Sequence, residues 1–294
     1  MKKFKIGIVG NGYVGKATQL LKCDEVECLV YDKDPDKCDP KGTVARDLKE
    51  SDFVFICVPT PMKQNGSCDL SVVKAAVKDL TRAGVRKNKI IIRSTVPVGT
   101  CEKLKVNFMP EFLTEKNWES DFRNNNLWIF GCDNLSDVSQ EGEILNFPSV
   151  VCKFRELLKL SQDSGGIKYD AVTFVPTKNA ELVKYARNSF LAVKISFFNE
   201  VQEFCINNDL NFAKVRELVC ADLRIGDSHS KVPGPDRKRG YGGTCFPKDV
   251  ASLLNQMKKS KVQTMVLKAS QKRNEKVDRR EKDWMDDKGR AVSE

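Results

Sequence analysis

The chain has 294 residues, of which 40% are hydrophobic, so it can bury a sizeable core and is long enough for two domains. No apolar run reaches the roughly 18 residues of a membrane-spanning helix, so we expect no such helix and no membrane partner. The net charge of +10 indicates attraction to phosphates or polyanions. No basic stripe interleaved with aromatic residues accompanies that charge, so a solvated basic surface is the ordinary interpretation and nucleic acid is not an expected partner.

The cysteines favour a reducing compartment. Eleven are scattered along the chain without CxxC spacing, which predicts reduced thiols in a cytoplasmic protein rather than disulfides or a metal site. The apolar residues near the N-terminus are broken by glycines, so we expect no signal peptide.

A glycine-rich loop follows the first predicted strand. Residues 4–9 read as a strand, residues 16–22 as a helix, and GNGYVG lies between them. In this GxGxxG pattern Gly10 makes a tight turn, Gly12 lets the backbone approach a pyrophosphate, and Gly15 allows close helix–strand packing. The residues predicted to bind a dinucleotide here are Gly10, Gly12, Tyr13, Val14 and Gly15.

The second predicted strand, residues 27–31, leads into Asp32, about twenty residues after the loop. A carboxylate there accepts hydrogen bonds from the ribose hydroxyls of NAD and repels the 2′-phosphate of NADP. Neighbouring Lys33 opposes that repulsion. We predict NAD as the cofactor, with a glycine turn in some other α/β protein as the weaker alternative.

Strands and helices continue to alternate. Strands are predicted at residues 52–58, 89–93 and 106–109, with a helix at 69–83. This order predicts an α/β fold, a Rossmann-like doubly wound parallel sheet. One apolar face of the helix is predicted to comprise Val72, Val73, Ala76, Val77 and Leu80.

Polar residues follow the predicted strands. Since a doubly wound sheet binds its ligand beyond the carboxyl ends of its strands, we expect these residues to converge with Gly12 and Asp32 in one crevice. Glu111 follows the fifth strand. The cofactor-binding residues predicted at these ends are Pro59, Thr60, Thr95 and Glu115.

A long helix is predicted at residues 179–207, after strands at 127–130 and 172–175 and a helix at 150–160. Its length exceeds the average and predicts a helix that joins two domains. On it Lys184 and Asn188 are four residues apart and share a face. For an isolated pair of this kind a solvated face is the ordinary interpretation.

The segment GYGGTCFPKD, residues 240–249, has the pattern of a site for a reactive thiolate. Its glycines leave room for substrate to approach Cys245. Pro247 is typical of the first position of a helix, and a helix start beside Cys245 favours thiolate over thiol. A glycine-rich turn with an uninvolved cysteine is the alternative.

This segment closely resembles the active-site segment of the UDP-glucose/GDP-mannose dehydrogenase family, and AELVKYARNSFLAVKISFFNE at residues 180–200 resembles the family's central helix. The resemblance extends to about residue 275. It implies an NAD-dependent oxidoreductase that takes the C6 alcohol of a nucleotide sugar through the aldehyde to the carboxylate, with two NAD per turnover.

The resemblance also implies roles for single residues. Cys245 is similar to the nucleophile that forms a thiohemiacetal and then a thioester, and Lys184 to the lysine that assists proton transfer and stabilises oxyanions. Asn188 matches a partner in the sugar pocket, while Asp249 and Glu111 match the carboxylates linked to water activation. The implied catalytic residues are Cys245, Lys184, Asp249, Glu111, Asn188 and Thr95.

Substrate contacts and a partner follow from the same resemblance. Arg224 lies in a loop similar to the one whose arginine reaches a substrate in the neighbouring subunit, which implies a homodimer. The lone His229 lies in a polar loop and is interpreted as a bystander or minor substrate contact. The implied substrate-binding residues are Phe112, Leu113, Glu115, Lys184, Asn188, Arg224, Tyr241, Gly242 and Phe246.

The sequence departs from the family at two places. The stretch between Asp32 and Asp52 is short. The family's third, nucleotide-binding domain has no counterpart, and residues 268–294 are instead expected to form a frayed helix and charged tail. We predict an NAD-binding domain at 1–177, a mostly helical central and dimerisation domain at 178–282, and a tail at 283–294.

Three hypotheses remain from the sequence. The first is a short nucleotide-sugar 6-dehydrogenase, with UDP-glucose the favoured substrate. The second is a β-hydroxyacid-type dehydrogenase, which needs no cysteine thioester and yields one NADH per substrate instead of two. The third is a protein without this activity, either an NAD-binding dimer impaired by the missing domain or a basic nucleic-acid-binding protein.

Overall fold

The structure, a computed structural model, describes residues 3–133 and 149–294. The described residues form two compact units. One comprises those of Met1–Thr60 and Leu70–Lys184, and the other comprises Pro61–Asp69 and Tyr185–Glu294. Among the described residues, no helix combines the length and apolarity needed to cross a membrane.

The first unit contains seven strands and alternating helices. The strands are β1 (Phe4–Val9), β2 (Val26–Tyr31), β3 (Phe53–Ile56), β4 (Ile90–Ile92), β5 (Asn107–Phe108), β6 (Trp128–Gly131) and β7 (Val172–Val175). The helices are α1 (Tyr13–Thr18), α2 (Ser71–Arg82), α3 (Thr100–Leu104), α4 (Trp118–Arg123) and α5 (Ser149–Asp163).

The strands form one sheet in the order β2-β1-β3-β4-β5-β6-β7. Strands β1 to β5 pair in parallel, whereas β6 runs antiparallel to β5 and parallel to β7. The predicted doubly wound, mostly parallel sheet is therefore confirmed. The carboxyl ends of β1 to β5 lie along the same edge of the sheet, and this edge carries the loops of interest.

Both faces of the sheet are buried, because alternate side chains of a strand point to opposite faces. In β3, Phe53 and Phe55 pack into one hydrophobic cluster, and Val54 and Ile56 pack into another. A strand buried on both sides reads as a continuous apolar run, as FVFI does. This explains why β3 could be predicted from the sequence.

Two local predictions differ from the structure. Helix α1 begins at Tyr13, three residues before the predicted start, because the helix follows directly after Gly12 and continues through Gly15.

In α2 Val73 and Val77 are buried as predicted, but Val72 is 44% exposed. One residue turns a helix by about 100°, which places Val72 at the edge of the apolar face.

The long helix α6 comprises Thr177–Asn207, in agreement with the prediction. The remaining helices are α7 (Phe212–Cys220), α8 (Phe246–Lys259) and α9 (Met265–Arg273), followed by a π-helical turn at Asn274–Asp278 and a 3-10 helix at Asp283–Asp286. The core of the second unit includes Tyr185, Tyr241, Val250 and Leu253. A mostly helical second region is thus confirmed.

The expectation of a frayed tail is wrong. Trp284, Ala291 and Val292 are buried. The backbone around them is tied to residue 62: the Met62 N–H donates to the Ala291 carbonyl (2.8 Å), and the Ser293 N–H donates to the Met62 carbonyl (2.8 Å). A few apolar side chains order this charged stretch. The predicted domain bounds at 177 and 282 stay predictions.

Candidate active site

Cys245 is the N-cap residue of α8, so it lies at the start of a helix as predicted. The first helical residue is Phe246 and the second is Pro247, one position later than the prediction for the proline. Gly240 and Gly243 have φ of +65° and +68°, in the left-handed region that favours glycine. The glycines therefore shape the turn that leads to the thiol.

Three polar side chains lie around the first turn of α8. The buried Asp249 carboxylate accepts a hydrogen bond from the Asn188 amide (2.6 Å) and one from the Lys248 ammonium (2.5 Å). Asp249 and Asn188 were predicted to be functional, and the structure brings them into direct contact. The amide and the ammonium together hold the carboxylate at a fixed position near the start of the helix.

Lys248 was not among the predicted site residues, although it belongs to the segment at residues 240–249 that was predicted to form the thiolate site. Burial disfavours its ammonium, but the Asp249 carboxylate and then neighbouring Cys245 outweigh burial and hold the pKa of Lys248 above its usual range. A half-buried cation thus lies within electrostatic reach of the thiol. A lysine one turn into a helix that begins at a candidate nucleophile could have revealed this residue.

A second pair lies in the first unit. The Lys184 ammonium donates to the Glu111 carboxylate (2.7 Å) and to the Glu111 carbonyl oxygen (2.6 Å). The two side chains are only 4% and 5% exposed. Burial favours the neutral acid, but Lys184, the Leu113 N–H and Arg93 together lower the pKa of Glu111 below its ordinary value. The pair is therefore a buried ion pair at the carboxyl end of β5.

Lys184 and Asn188 lie one turn apart on α6, as their spacing predicted. Lys184 contacts Glu111, and Asn188 contacts Asp249. Both side chains are buried, so the solvated-face interpretation of this pair is wrong. Each residue instead contacts one of the predicted carboxylates.

The glycine loop has the geometry that GxGxxG predicted. Gly10 has a φ of +95°. A Cβ built on Gly15 would lie less than 3.0 Å from the Gly10 carbonyl, so only glycine allows α1 to approach the loop this closely. The Asp32 carboxylate follows β2 and accepts hydrogen bonds from the N–H groups of Asn11 (2.7 Å) and Asp34 (2.9 Å). The acid is thereby fixed beside the loop.

The other residues predicted at strand ends differ in burial. Thr60 after β3 and Thr95 after β4 are buried, whereas Pro59 and Glu115 are exposed. All four follow strands whose carboxyl ends share one edge of the sheet. Their contacts with a cofactor stay predictions.

Comparison with protein families decides the assignment. The NAD binding domain of the UDP-glucose/GDP-mannose dehydrogenase family matches residues 37–146, and the central domain of the same family matches residues 178–276. Together the two matches cover more than half of the chain. The chain belongs to the UDP-glucose/GDP-mannose dehydrogenase family.

Curated relatives agree with this family. The chain is 34% identical over 251 residues to UDP-glucose 6-dehydrogenase of Pseudomonas aeruginosa, which covers 79% of this chain and 50% of that protein. It is 33% identical over 241 residues to UDP-glucose 6-dehydrogenase of Rickettsia typhi, covering 78% of this chain and 50% of the relative. The chain thus spans about half the length of the curated relatives it matches.

Solved structures show the same fold. A UDP-glucose dehydrogenase from Pyrobaculum islandicum matches with a TM-score of 0.77 at 24% identity, over 93% of this chain and 68% of that one. A 3-hydroxyisobutyrate dehydrogenase from Mycobacterium tuberculosis matches with a TM-score of 0.67 at 15% identity, over 92% and 91% of the two chains. The second likeness explains why a β-hydroxyacid dehydrogenase was a reasonable alternative from the fold.

As a member of this family, the chain has NAD as its cofactor. The glycine loop fits a dinucleotide. A Cβ built on Gly12 would meet no atom within 4 Å, so the backbone there is open to a ligand, whereas Gly15 is packed. The fixed Asp32 carboxylate supplies the acceptor that a ribose requires.

The substrate residues implied by the family resemblance occupy different settings. The Arg224 side chain is 90% exposed and forms a bidentate ion pair with Asp222. The Tyr241 ring is buried in the core of the second unit. Phe246 is half-buried and contacts the His229 ring, with 5.6 Å between the centroids. The half-buried residues are Phe112, Leu113, Gly242 and Phe246.

His229 lies in a loop, with a φ of +59°. Burial, and next the charge of Lys194, lower the pKa of its imidazole, so the neutral form is favoured. Within residues 3–133 and 149–294, no cluster of His, Cys, Asp and Glu could hold a metal ion. The role of His229 as bystander or substrate contact stays a prediction.

Glu181 is a further residue that the sequence reasoning missed. Its carboxylate is buried and accepts hydrogen bonds from the N–H groups of Gly99 (2.5 Å) and Cys101 (2.8 Å). These residues end the STVPVGT loop that carries Thr95 and begin α3. Glu181 lies three residues before Lys184 on the same helix, and this spacing could have drawn attention to it.

Proposed function

We propose that this chain is an NAD-dependent nucleotide-sugar 6-dehydrogenase of the cytoplasm, which oxidises a C6 alcohol to a carboxylate with UDP-glucose as the favoured substrate. The observation that carries the proposal is Cys245 at the start of α8, beside the linked side chains of Lys248, Asp249 and Asn188, in a chain of this family. The cytoplasmic location is supported by eleven free cysteines.

The N-terminal unit would hold the cofactor. Gly10, Gly12 and Gly15 would accommodate the pyrophosphate, and Asp32 would accept hydrogen bonds from the ribose hydroxyls. NAD, when bound, accepts one hydride in each of the two oxidations. Thr60 and Thr95 supply hydroxyl groups at the same edge of the sheet.

Cys245 performs the covalent chemistry in this proposal. Its thiolate adds to the aldehyde carbon, and the resulting alkoxide takes a proton to give a thiohemiacetal. Loss of a hydride and of the hydroxyl proton converts this adduct to a thioester. Water then adds to the thioester, the carbon–sulfur bond breaks, and the carboxylate leaves while the thiolate is regenerated.

The polar side chains assist these steps. The Lys184 ammonium can donate to a developing alkoxide, and Glu111 is a fixed carboxylate that can receive a proton or orient water. Asp249 and Asn188 hold each other and can orient the sugar or the water at the thioester. Each group supplies a charge or a hydrogen bond that the chemistry requires.

The decisive experiment is a screen for NADH formation over UDP- and GDP-sugars, with the acid product measured separately. We expect two NADH for each carboxylate formed, whereas a β-hydroxyacid dehydrogenase would give one. Cys245→Ser should abolish acid formation and leave NAD binding intact, because a hydroxyl is a far poorer nucleophile at neutral pH.

The matched control is Cys152→Ser, which changes an exposed cysteine of α5. This control variant should retain both acid formation and NAD binding. Undiminished carboxylate formation by Cys245→Ser would refute the covalent mechanism.

We also propose a homodimer. Phe190, Phe197 and Phe204 recur every seven residues on α6 and are 67%, 54% and 62% exposed. A seven-residue repeat returns to nearly the same face of a helix, so the three rings form one apolar stripe. A second copy of this chain is the partner that the family resemblance implies.

Light scattering after size exclusion tests the dimer. Phe197→Asp should shift the protein to the monomer mass, because it places a charge in the stripe. Val72→Asp, on the exposed edge of α2, is the matched control and should not change the mass. A wild type that is monomeric at high micromolar concentration would refute the proposal.

A further inference from the structure

We propose that Asn274 and Arg279 are positioning residues that hold the loop Gly240–Gly243 in place ahead of Cys245. The inference rests on the proposed role of Cys245 as the nucleophile and extends it to residues that follow α9. These residues belong to the stretch 268–294, which the sequence alone suggested was a frayed helix and charged tail.

Asn274 is bound to the loop backbone through both ends of its amide. Its oxygen accepts a hydrogen bond from the Tyr241 N–H (2.8 Å), and its amide nitrogen donates to the Tyr241 carbonyl (2.8 Å). The Asn274 side chain is buried. Two hydrogen bonds to the backbone of one residue fix both its position and its orientation, and neither competes with water.

Arg279 supports the next turn of the loop. Its guanidinium is buried and donates to both oxygens of Asp283 (2.8 and 2.6 Å) and to Asp236 (2.6 Å). The two carboxylates therefore hold the guanidinium plane still. Burial disfavours the charge, but Asp283 and Asp236 outweigh burial and raise the pKa of Arg279.

Gly242 lies directly against this guanidinium. A Cβ built on Gly242 would lie less than 3.0 Å from three atoms of the Arg279 side chain. Unlike Gly240 and Gly243, Gly242 does not have a left-handed φ. The glycine at this position is therefore required by the close approach of Arg279 and not by the backbone angle.

The loop needs such support because three of its four residues are glycines, which lose the most conformational freedom on ordering. Only Gly243 and Thr244 separate Gly242 from Cys245. A displacement of the supported loop would therefore move the N-cap of α8 and the thiol with it. Asn274 and Arg279 thus act on the thiol through the loop.

The experiment measures the alkylation rate of each cysteine by iodoacetamide, with peptide mass spectrometry as the readout. In Asn274→Ala and Arg279→Ala we expect the Cys245 rate to rise at least about fivefold, the factor that corresponds to one lost hydrogen bond. The buried Cys205 and Cys220 of the same unit should keep their wild-type rates.

Arg216→Ala is the matched control. Arg216 is a half-buried arginine of the same unit, paired with Asp227 and Ser230. Its loss should leave the Cys245 rate unchanged. An unchanged Cys245 rate in both test variants overturns the proposal, and so does a rise of Cys205 and Cys220 by the same factor, since that result indicates general loosening.

A double-mutant cycle tests the contact between Gly242 and Arg279 directly. Gly242→Ala should raise the Cys245 rate at least about fivefold, because its methyl group meets the guanidinium. In the Arg279→Ala background the same change should add less than about twofold, because the obstacle is gone. Fully additive effects would overturn the proposal.

Turnover gives a second readout. If the wild type forms NADH, Asn274→Ala should lower kcat at least about tenfold with an unchanged KM for NAD, the pattern of a misplaced reacting group. A rise in the KM for NAD by the same factor as the fall in kcat would overturn the positioning role. A wild type without turnover counts against the proposed function alone, because alkylation requires no catalysis.

Discussion

The buried Lys184–Glu111 pair makes a quantitative prediction. Lys184→Met removes the ammonium and keeps the length of the side chain, so the Glu111 carboxylate loses one of the three groups that stabilise its charge. The Leu113 N–H (2.8 Å) and the charge of Arg93 remain. Removing one member of a buried ion pair typically destabilises a protein by about 3–5 kcal/mol.

The shift in melting temperature follows from that range. A protein of this size loses about 2–4 °C per kcal/mol, so we expect Tm to fall by about 6–20 °C at pH 7. Lys178→Met is the matched control, because Lys178 lies on the same helix and pairs with Glu102, but the two side chains are 51% and 50% exposed. An exposed pair contributes at most about 1 kcal/mol.

The loss should depend on pH in a defined direction. The pKa of Glu111 is lowered in the folded protein, so its contribution to stability is present above the unfolded value and is lost as the pH falls through the folded value. In Lys184→Met, burial without the cation raises that pKa. The difference in stability between variant and wild type should therefore be largest near pH 7, shrink as the pH falls through the raised pKa of the variant, and shrink further below about pH 4.3.

Thermal or urea unfolding at several pH values tests this prediction. The double variant Lys184→Met with Glu111→Gln should recover much of the loss, because no charge remains buried. A Tm for Lys184→Met equal to that of Lys178→Met, or a deficit that does not vary with pH, would refute the assignment of a buried ion pair.

Three further predictions address the cofactor loop and the C-terminal segment. Asp32→Ala should weaken NAD binding about thirtyfold, the equivalent of ~2 kcal/mol, and relax discrimination against NADP; equal NAD affinity by calorimetry would contradict this. Gly15→Ala should abolish NAD binding because its methyl group would meet the Gly10 carbonyl, and normal binding would show that the loop can shift. Trp284→Ala should lower the free energy of unfolding by about 3–5 kcal/mol if its buried ring orders the segment, whereas a change near zero in urea unfolding would restore the tail interpretation.

Features that depend on local sequence were predictable. The glycine loop, the acid after β2 and the cysteine before α8 are each set by backbone requirements within a few residues. The left-handed φ of Gly10, the close packing of Gly15 and the proline in the first turn of α8 are requirements of this kind. A continuous hydrophobic run such as FVFI likewise predicts a strand that is buried on both faces.

Partners far apart in the chain were not predictable from these local requirements. Asp249 contacts Asn188 across 61 residues, and Lys184 contacts Glu111 across 73. The family resemblance suggested that these residues act together, but only the fold shows which amide meets which carboxylate. Lys248 was missed because a lysine early in a helix is ordinarily a solvated residue, and its partial burial beside Asp249 is a tertiary property.

The C-terminal segment shows the limit most clearly. By composition, residues 268–294 read as a frayed helix and charged tail, because opposite charges in a sequence give no indication of whether they face water or each other. In the fold, Arg279 pairs with Asp236 and Asp283, and Asn274 forms hydrogen bonds with the backbone of Tyr241. The Trp284 side chain is buried. The sequence alone therefore determined the nucleotide-binding loop and the position of the thiol at a helix start. Only the tertiary structure decided which charges are buried, because burial depends on partners that are distant in the chain.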